Sequence, residues 1–178
     1  MGYLLKPGHS LICRADRMPS PTSRRRGNHA DPEPQAMLAR LSIRDIVLID
    51  RLDLDFASGL SVLTGETGAG KSILLDAFSL ALGGRGDGGL VRHGEAQGAV
   101  TAVFDVGLDH PARRIAGEAG IDTEGDLILR RTQMADGRTR AFVNDQAIGV
   151  QTLRAIGAAL VVLGIVVSHT RLKRLTSR

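Results

Sequence analysis

The feature that most constrains this chain is a phosphate-binding loop pattern, G-x-x-x-x-G-K-[ST], that fills residues 65–72. Its residues are Gly65, Glu66, Thr67, Gly68, Ala69, Gly70, Lys71 and Ser72. The glycines let the backbone turn tightly, so that successive N–H groups point at one anion. Lys71 brings a cation to the β- and γ-phosphates, and the Ser72 hydroxyl can ligate Mg²⁺. The pattern therefore predicts a site for a nucleoside triphosphate with Mg²⁺.

The residues on either side of the loop have the local patterns that a phosphate loop needs. Residues 60–64, LSVLT, form a short apolar run that predicts a buried strand. Residues 72–82, SILLDAFSLAL, contain no Gly or Pro and are apolar on nearly every side, which predicts a buried helix ended by Gly83 and Gly84. The helix dipole would add positive potential at the phosphates. This context favours a phosphate site over a chance glycine-rich turn.

Composition narrows the class of protein. The 178 residues suffice for one domain, and 43% hydrophobic and 24% charged residues are ordinary for a soluble globular chain. Aromatic residues make up only 3%, which argues against a base-stacking surface for nucleic acid. The single cysteine, Cys13, excludes an internal disulfide framework, and the five histidines lack metal-ligand spacing.

The net charge of +4 is concentrated at the two ends of the chain. Residues 1–36 carry six Lys/Arg and three Asp/Glu, and residues 171–178 carry four basic and no acidic residues. The remaining residues, 37–170, carry 13 basic and 16 acidic residues. The body of the chain is thus mildly acidic, and its overall basicity is weak evidence for a nucleic-acid groove.

Three regions follow from the patterning. Residues 1–36 are basic and proline-rich, which predicts disorder, and their apolar runs are too short for a secretory signal. A transit peptide is one interpretation of this region, but we prefer a natural start at Met37, where ordered patterning begins. Residues 37–160 form the folded lobe, and residues 161–178 are an apolar and then basic tail. Residues 156–167 are too few for a membrane anchor, since about 20 are needed to span a bilayer.

The rest of the lobe predicts an antiparallel sheet. Alternating residues over 38–56 predict two strands, residues 99–106 a third, and residues 126–134 and 138–143 a hairpin. Asn144 and Asp145 predict a further turn, and residues 150–160 a helix. Asp109 is the predicted cap of a short helix that ends at Glu118.

Two charged residues are candidates for function outside the phosphate loop. Arg85 lies in the glycine-rich loop of residues 83–94 and is a candidate contact to phosphate or DNA, although a plain solvated loop is the alternative. Asp105 ends an apolar run, as a metal-binding carboxylate often does. Val106 follows it and the neighbouring patterns are antiparallel, so Asp105 is not favoured as a metal ligand. No catalytic residue is assigned.

Residues from Met37 to about Leu160 resemble the N-terminal ATP-binding lobe of the bacterial RecN family of DNA repair proteins. The family belongs to the SMC-like group within the ABC-type ATPases. The resemblance is carried by LSI at residues 41–43, GLSVLTGETGAGKSILLDAFSLALGGR at residues 59–85, VRHG at residues 91–94 and GRTRAFVN at residues 137–144. It implies an α/β fold, a P-loop NTPase half-lobe with an antiparallel β subdomain and an incomplete parallel core.

The resemblance also implies function. It implies ATP and Mg²⁺ bound at residues 65–72, and a role in recombinational repair of DNA double-strand breaks in the cytoplasm, at the nucleoid. Family members add a long coiled coil and a complementary C-terminal lobe, which supplies the signature loop and an Asp-Glu pair for hydrolysis. Two molecules sandwich ATP, so a homodimer and DNA are implied partners.

This chain departs from the family after Val161. Where relatives resemble I-H-G-Q-H, it reads VLGIVVSH at residues 162–169. We therefore expect a truncated or frame-shifted copy that cannot hydrolyse ATP alone and that exposes apolar surface. The alternatives are another P-loop enzyme, such as a small kinase or GTPase, and an inactive fragment.

Overall fold

The computed structural model describes residues 36–57 and 68–161, with the backbone alone for residues 68–71 and 161. In these ranges the chain forms β1 (Ala36–Ile46), β2 (Ile49–Asp55), α1 (Gly68–Ala81), β3 (Gln97–Val106), α2 (Pro111–Glu118), β4 (Leu127–Met134), β5 (Thr139–Val143), β6 (Gln146–Ile148) and α3 (Val150–Val161). A single 3-10 turn, Gly88–Leu90, precedes β3. The predicted strand at residues 60–64 lies outside the described residues.

The six strands form one sheet in the order β2-β1-β3-β4-β5-β6, and every neighbouring pair is antiparallel. The predicted hairpin of β4 with β5 is confirmed, and the two strands predicted over residues 38–56 are present as the antiparallel pair β1 and β2. The strand β6 was not predicted, because its three residues are too short to show alternation and two of them are exposed. The parallel core remains a prediction, since no described strand pairs in parallel.

One face of the sheet carries the hydrophobic core. Burial alternates along β4 without a break, and nearly so along β3, as it does when one face of a sheet is covered and the other is not. The buried face includes Ile43, Val100, Leu129 and Val143, each fully buried. Helix α1 packs on β1, β3 and β4, and α3 packs on β5 and α2. The helices thus cover this face.

On β1 and β2 the opposite face of the sheet is polar and carries ion pairs. Arg40 pairs with Asp55 at 2.6 Å, and Arg44 and Arg51 both reach Asp53 at 3.1 Å. Hydrogen bonds from Ser42, Arg44 and Arg51 lower the pKa of Asp53 to about 2. The arginines on this end of the sheet are therefore paired with carboxylates within the sheet itself.

Helix α1 corrects the prediction of a helix buried on nearly every side. Leu74, Ala77 and Leu80 are buried against the sheet, whereas Leu75 is 47% exposed and Ser72 and Asp76 are also exposed. The sheet can cover only one side of a helix, and nothing else in the described residues covers the other. The expectation of exposed apolar surface is met here at Leu75.

The start of α2 corrects a second prediction. Its N-cap is His110, not Asp109, because the imidazole Nδ1 accepts a hydrogen bond from the Ala112 N–H at 3.1 Å. Pro111 then occupies the first helical position, where its missing N–H costs nothing. Asp109 is exposed one residue before the cap.

Candidate nucleotide-binding site

The phosphate-loop pattern runs into the first turn of α1. Residues 65–67 lie outside the described residues, and the backbone of residues 68–71 is already helical. The first four N–H groups of a helix have no acceptor within the helix, and its N-terminus carries a positive partial charge. Ser72 follows at the start of the next turn with an exposed side chain. This arrangement, backbone donors beside a serine hydroxyl, suits a bound phosphate and its metal ion.

The core holds α1 firmly in place. Leu74, Ala77 and Leu80 are spaced along one side of the helix and each is at most 6% exposed. The Phe78 ring meets the Phe104 ring of β3 at a centroid distance of 6.2 Å and an interplanar angle of 43°. Tilted aromatic pairs at this distance are favourable. The sheet therefore fixes the position of α1, and with it the position of the N-terminus of α1.

The C-terminal end of α1 is closed by the predicted glycines. Gly83 has φ of +86°, the left-handed conformation that ends many helices. Its N–H donates to the Leu80 carbonyl at 3.1 Å, and the Gly84 N–H donates to the Ser79 carbonyl at 2.8 Å. The Gly83 carbonyl in turn accepts from Arg154 Nε of α3 at 3.1 Å. The helix stop predicted from Gly83 and Gly84 is confirmed.

Arg85 lies beyond this end of α1 and is exposed. A helix of 14 residues is about 20 Å long, so Arg85 and the phosphate loop are at opposite ends of α1. An arginine side chain cannot cover that distance. We therefore no longer expect Arg85 to reach phosphates held by its own loop, and its contact with DNA stays a prediction.

Asp105 is exposed on β3, a strand that pairs antiparallel with both neighbours. Within residues 36–57 and 68–161, no group of three or more His, Cys, Asp or Glu side chains could hold a metal ion.

In the same ranges no helix is long and apolar enough to cross a membrane. Of the predicted site residues, Ser72 alone has a described side chain at the start of α1.

Two buried polar residues were missed in the sequence. Arg131 is 3% exposed and Gln133 is fully buried, both on the core face of β4. Arg131 Nε donates to Thr139 Oγ1 at 2.6 Å, and Gln133 Nε2 donates to the Arg138 carbonyl at 3.1 Å. Burial, and secondarily the charge of Arg154, lower the pKa of Arg131. The sequence could have shown this burial, because Arg131 and Gln133 continue the every-second-residue spacing of the apolar Leu127 and Leu129 in LILRRTQM.

Comparison with known proteins agrees with this fold and motif. The family model described as "AAA domain" matches residues 40–140. The protein named DNA repair protein RecN from Bacillus subtilis (strain 168) is 43% identical over 125 residues, which cover 70% of this chain and 22% of that protein. The protein of the same name from Halalkalibacterium halodurans is 42% identical over 126 residues, again 70% and 22%. The chain spans about a fifth of the length of these relatives.

A solved structure shows the same fold at low sequence identity. It is described as "Structural biochemistry of ATP-driven dimerization and DNA stimulated activation of SMC ATPases". Its TM-score is 0.54 at 20% identity, over 72% of this chain and 80% of that one. The chain thus has the fold of part of a P-loop NTPase lobe of the SMC type, and it belongs to the AAA domain family. Over 70% of its length it is similar to proteins named DNA repair protein RecN.

Proposed function

We propose that this chain is the ATP-binding lobe of a RecN-like protein that acts in recombinational repair of DNA double-strand breaks. The observation that carries the proposal is that α1 begins at Gly68, within the phosphate-loop pattern, as a nucleotide site requires. Relatives that are more than 40% identical are named DNA repair protein RecN, which supports the repair role. This similarity does not favour a small kinase or GTPase.

In this proposal residues 65–72 hold the triphosphate. The backbone N–H groups of the loop and of the first turn of α1 donate to phosphate oxygens, because these groups have no acceptor within the helix. Lys71 neutralises charge on the β- and γ-phosphates, and Ser72 is a ligand of Mg²⁺.

A complementary C-terminal lobe is the proposed partner. The exposed side of α1, with Ser72, Leu75 and Asp76, is the surface we expect it to cover, because a half-exposed leucine on a helix next to a nucleotide gains stability when it is buried. That lobe would carry the residues for hydrolysis, so we expect this chain to bind ATP without turning it over.

Dimerisation and DNA binding are further parts of the proposal. The SMC structure with the same fold is described by ATP-driven dimerization and DNA-stimulated activation. By analogy, ATP would bring two copies of the complete protein together on DNA. The site of action would be the cytoplasm, at the nucleoid.

Thermal unfolding of residues 1–178 with and without Mg-ATP tests nucleotide binding. A ligand at 100 times its Kd adds about 2.7 kcal/mol of stability. For a chain of this size that corresponds to a rise in Tm of roughly 5–11 °C. Lys71→Ala should abolish the rise, and Ser72→Ala should remove the part of it that depends on Mg²⁺.

Three outcomes separate the alternatives. A cooperative transition that Mg-ATP does not shift contradicts the proposal. A transition shifted more by Mg-GTP than by Mg-ATP favours a GTPase. The absence of any cooperative transition favours an inactive fragment, since a folded lobe must melt as a unit.

A further inference from the structure

The turn between β1 and β2 has a strained backbone. Ile46 pairs with Ile49, so Val47 and Leu48 alone connect the two strands. Val47 has a φ of +51°, and Asp45, two residues before it, has a φ of +49°. Two-residue turns that need positive φ favour Gly, Asn or Asp, and a β-branched residue such as valine is rare there. The conformation of Val47 therefore costs free energy, which contacts with its surroundings must offset.

Two backbone hydrogen bonds from the loop after α1 hold the turn in this conformation. The Val47 N–H donates to the Leu90 carbonyl, and the Arg92 N–H donates to the Asp45 carbonyl, each at 2.9 Å. Both residues with positive φ are therefore bonded directly to residues 88–92. A strained residue persists only where its surroundings fix it, and here this loop does so.

The Arg92 side chain adds two ion pairs to this contact. Its Nη1 lies 3.3 Å from a carboxylate oxygen of Asp50 on β2 and 3.7 Å from one of Asp45. All three side chains are partly or largely exposed to solvent, so the ion pairs contribute modestly beside the backbone bonds. Removing them should loosen the turn without unfolding the sheet.

The loop that holds the turn begins at the end of α1. The Gly84 N–H donates to the Ser79 carbonyl at 2.8 Å, which fixes the first part of the loop to the helix. Further along, a Cβ built at Gly88 would be 2.4 Å from the Ala135 carbonyl oxygen, so the loop also touches the turn between β4 and β5. The loop thus joins the end of α1 to the β1–β2 turn.

We propose that the β1–β2 turn is a conformational switch between a closed and an open state. In the closed state, which the structure shows, residues 88–92 hold Val47 in the left-handed conformation. In the open state both backbone bonds are broken, Val47 relaxes to a negative φ, and the loop separates from β1 while the sheet stays paired. Opening releases the strain, so it needs less free energy than opening of an unstrained turn with the same bonds. The switch does not depend on the function proposed above.

Native-state hydrogen exchange of the ¹⁵N-labelled full chain, followed by two-dimensional NMR, tests this proposal. The reporter is the Arg92 N–H, which is protected from exchange while it is bonded to the Asp45 carbonyl. Its exchange is measured at increasing urea below the unfolding transition, and global unfolding is measured by circular dichroism. We expect exchange of the Arg92 N–H to depend little on urea, because local opening exposes little surface.

Two glycine substitutions in the turn should have opposite effects. Val47→Gly removes the strain and should raise the protection of the Arg92 N–H about 3-fold or more. Leu48→Gly is the matched control, because Leu48 is not among the residues with positive φ. Glycine at that position adds freedom to the open state without relieving strain, so protection should fall.

A second pair of variants tests the ion pairs. Arg92→Gln removes them and keeps the backbone bonds, so it should lower the protection of the Val47 N–H about 2- to 5-fold. Arg51→Gln makes the same charge change on β2, where Arg51 pairs with Asp53 and not with the loop, and should leave that protection unchanged.

Either of two results would overturn the proposal. Exchange of the Arg92 N–H with the full urea dependence of global unfolding would mean that no separate open state exists. Protection in Val47→Gly that equals that of the wild type, or is lower, would mean that the closed turn stores no strain. The amide spectrum of each variant shows directly whether the fold is kept.

Discussion

Gly157 of α3 lies against the backbone of α1's C-terminal end: a Cβ built at Gly157 would be 2.4 Å from the Leu82 carbonyl oxygen. Real Cβ atoms essentially never approach that closely. The neighbouring contact is similar, since a Cβ at Gly83 would be 2.6 Å from the Arg154 nitrogen. The turn that follows α1 and helix α3 therefore meet backbone to backbone, which only glycine allows.

Gly157→Ala is expected to destabilise the chain by about 1–3 kcal/mol, because the added methyl group meets backbone and forces the helices apart. Urea unfolding followed by circular dichroism measures this change. The matched control is Gly117→Ala in α2, where nothing lies within 4 Å of the added Cβ. Alanine there should stabilise the chain by up to about 1 kcal/mol. Equal effects of the two substitutions would contradict the close contact.

Stability should fall between pH 7 and pH 5 because of His110. Its folded-state pKa is lowered from 6.5, first by burial and then by Arg113, so the unfolded chain takes up a proton that the folded chain resists. The contribution is complete above pH 6.5 and is lost as the pH falls toward the folded-state pKa. The free energy of unfolding, measured by urea titration at half-unit steps of pH, reports this loss.

His110→Asn is the control for that pH dependence. Asparagine caps a helix but does not titrate, so its stability curve should be flatter than that of the wild type between pH 7 and pH 5. Curves of the same slope would assign the effect to other groups.

Asn144→Ala is expected to cost about 1–3 kcal/mol. The Asn144 side chain accepts from the Ile128 N–H at 2.8 Å and donates to the Asp122 carbonyl at 2.7 Å, and its φ is +46°. Alanine loses both bonds, leaves the Ile128 N–H without its acceptor, and is strained at this φ. Thermal unfolding of the variant gives the cost.

Asp145→Gly is the matched change at the next residue of the same turn. Asp145 also has positive φ, but its side chain is 82% exposed. Glycine favours this conformation and the lost ion pair with Arg130 is exposed, so stability should change by less than about 1 kcal/mol. A large loss here would mean that the ion pair between Asp145 and Arg130 contributes more than an exposed pair is expected to.

Arg85→Ala should leave the response to Mg-ATP unchanged. Arg85 follows the C-terminal end of α1, about 20 Å from the first turn. The rise in Tm with Mg-ATP should therefore equal that of the wild type, whereas Lys71→Ala should abolish it. A loss of the response in Arg85→Ala would place the nucleotide, or a second copy of the chain, near this loop.

Much of the fold could be predicted from periodicity. The hairpin of β4 and β5 was predicted because LILRRTQM and TRAFV alternate around a turn of Ala135, Asp136 and Gly137. Helix α1 and its end were predicted from an unbroken apolar run followed by two glycines. Such local patterns are set by residues close together in sequence, which is why a sequence alone reveals them.

That His110 and not Asp109 caps α2 could have been read from Pro111, because proline favours the first helical position and so places the cap at the residue before it. The rest depends on contacts between distant parts of the chain. The exposure of Leu75 depends on how much of α1 the sheet can cover. Of the site itself, the identities of residues 65–72 come from the sequence, and their positions before Gly68 remain a prediction.

The glycine contact between α1 and α3 has a mechanical consequence. The turn that follows α1 touches α3 through its backbone, with no side chain of Gly83 or Gly157 in between, so the two segments should move together. If phosphate binding at the first turn shifts α1, the contact between Gly83 and Arg154 would carry that shift into α3 and toward residue 161. Gly83 and Gly157 would thus keep this contact stiff. A single methyl group at either glycine would weaken the coupling between α1 and α3 before it unfolded the chain.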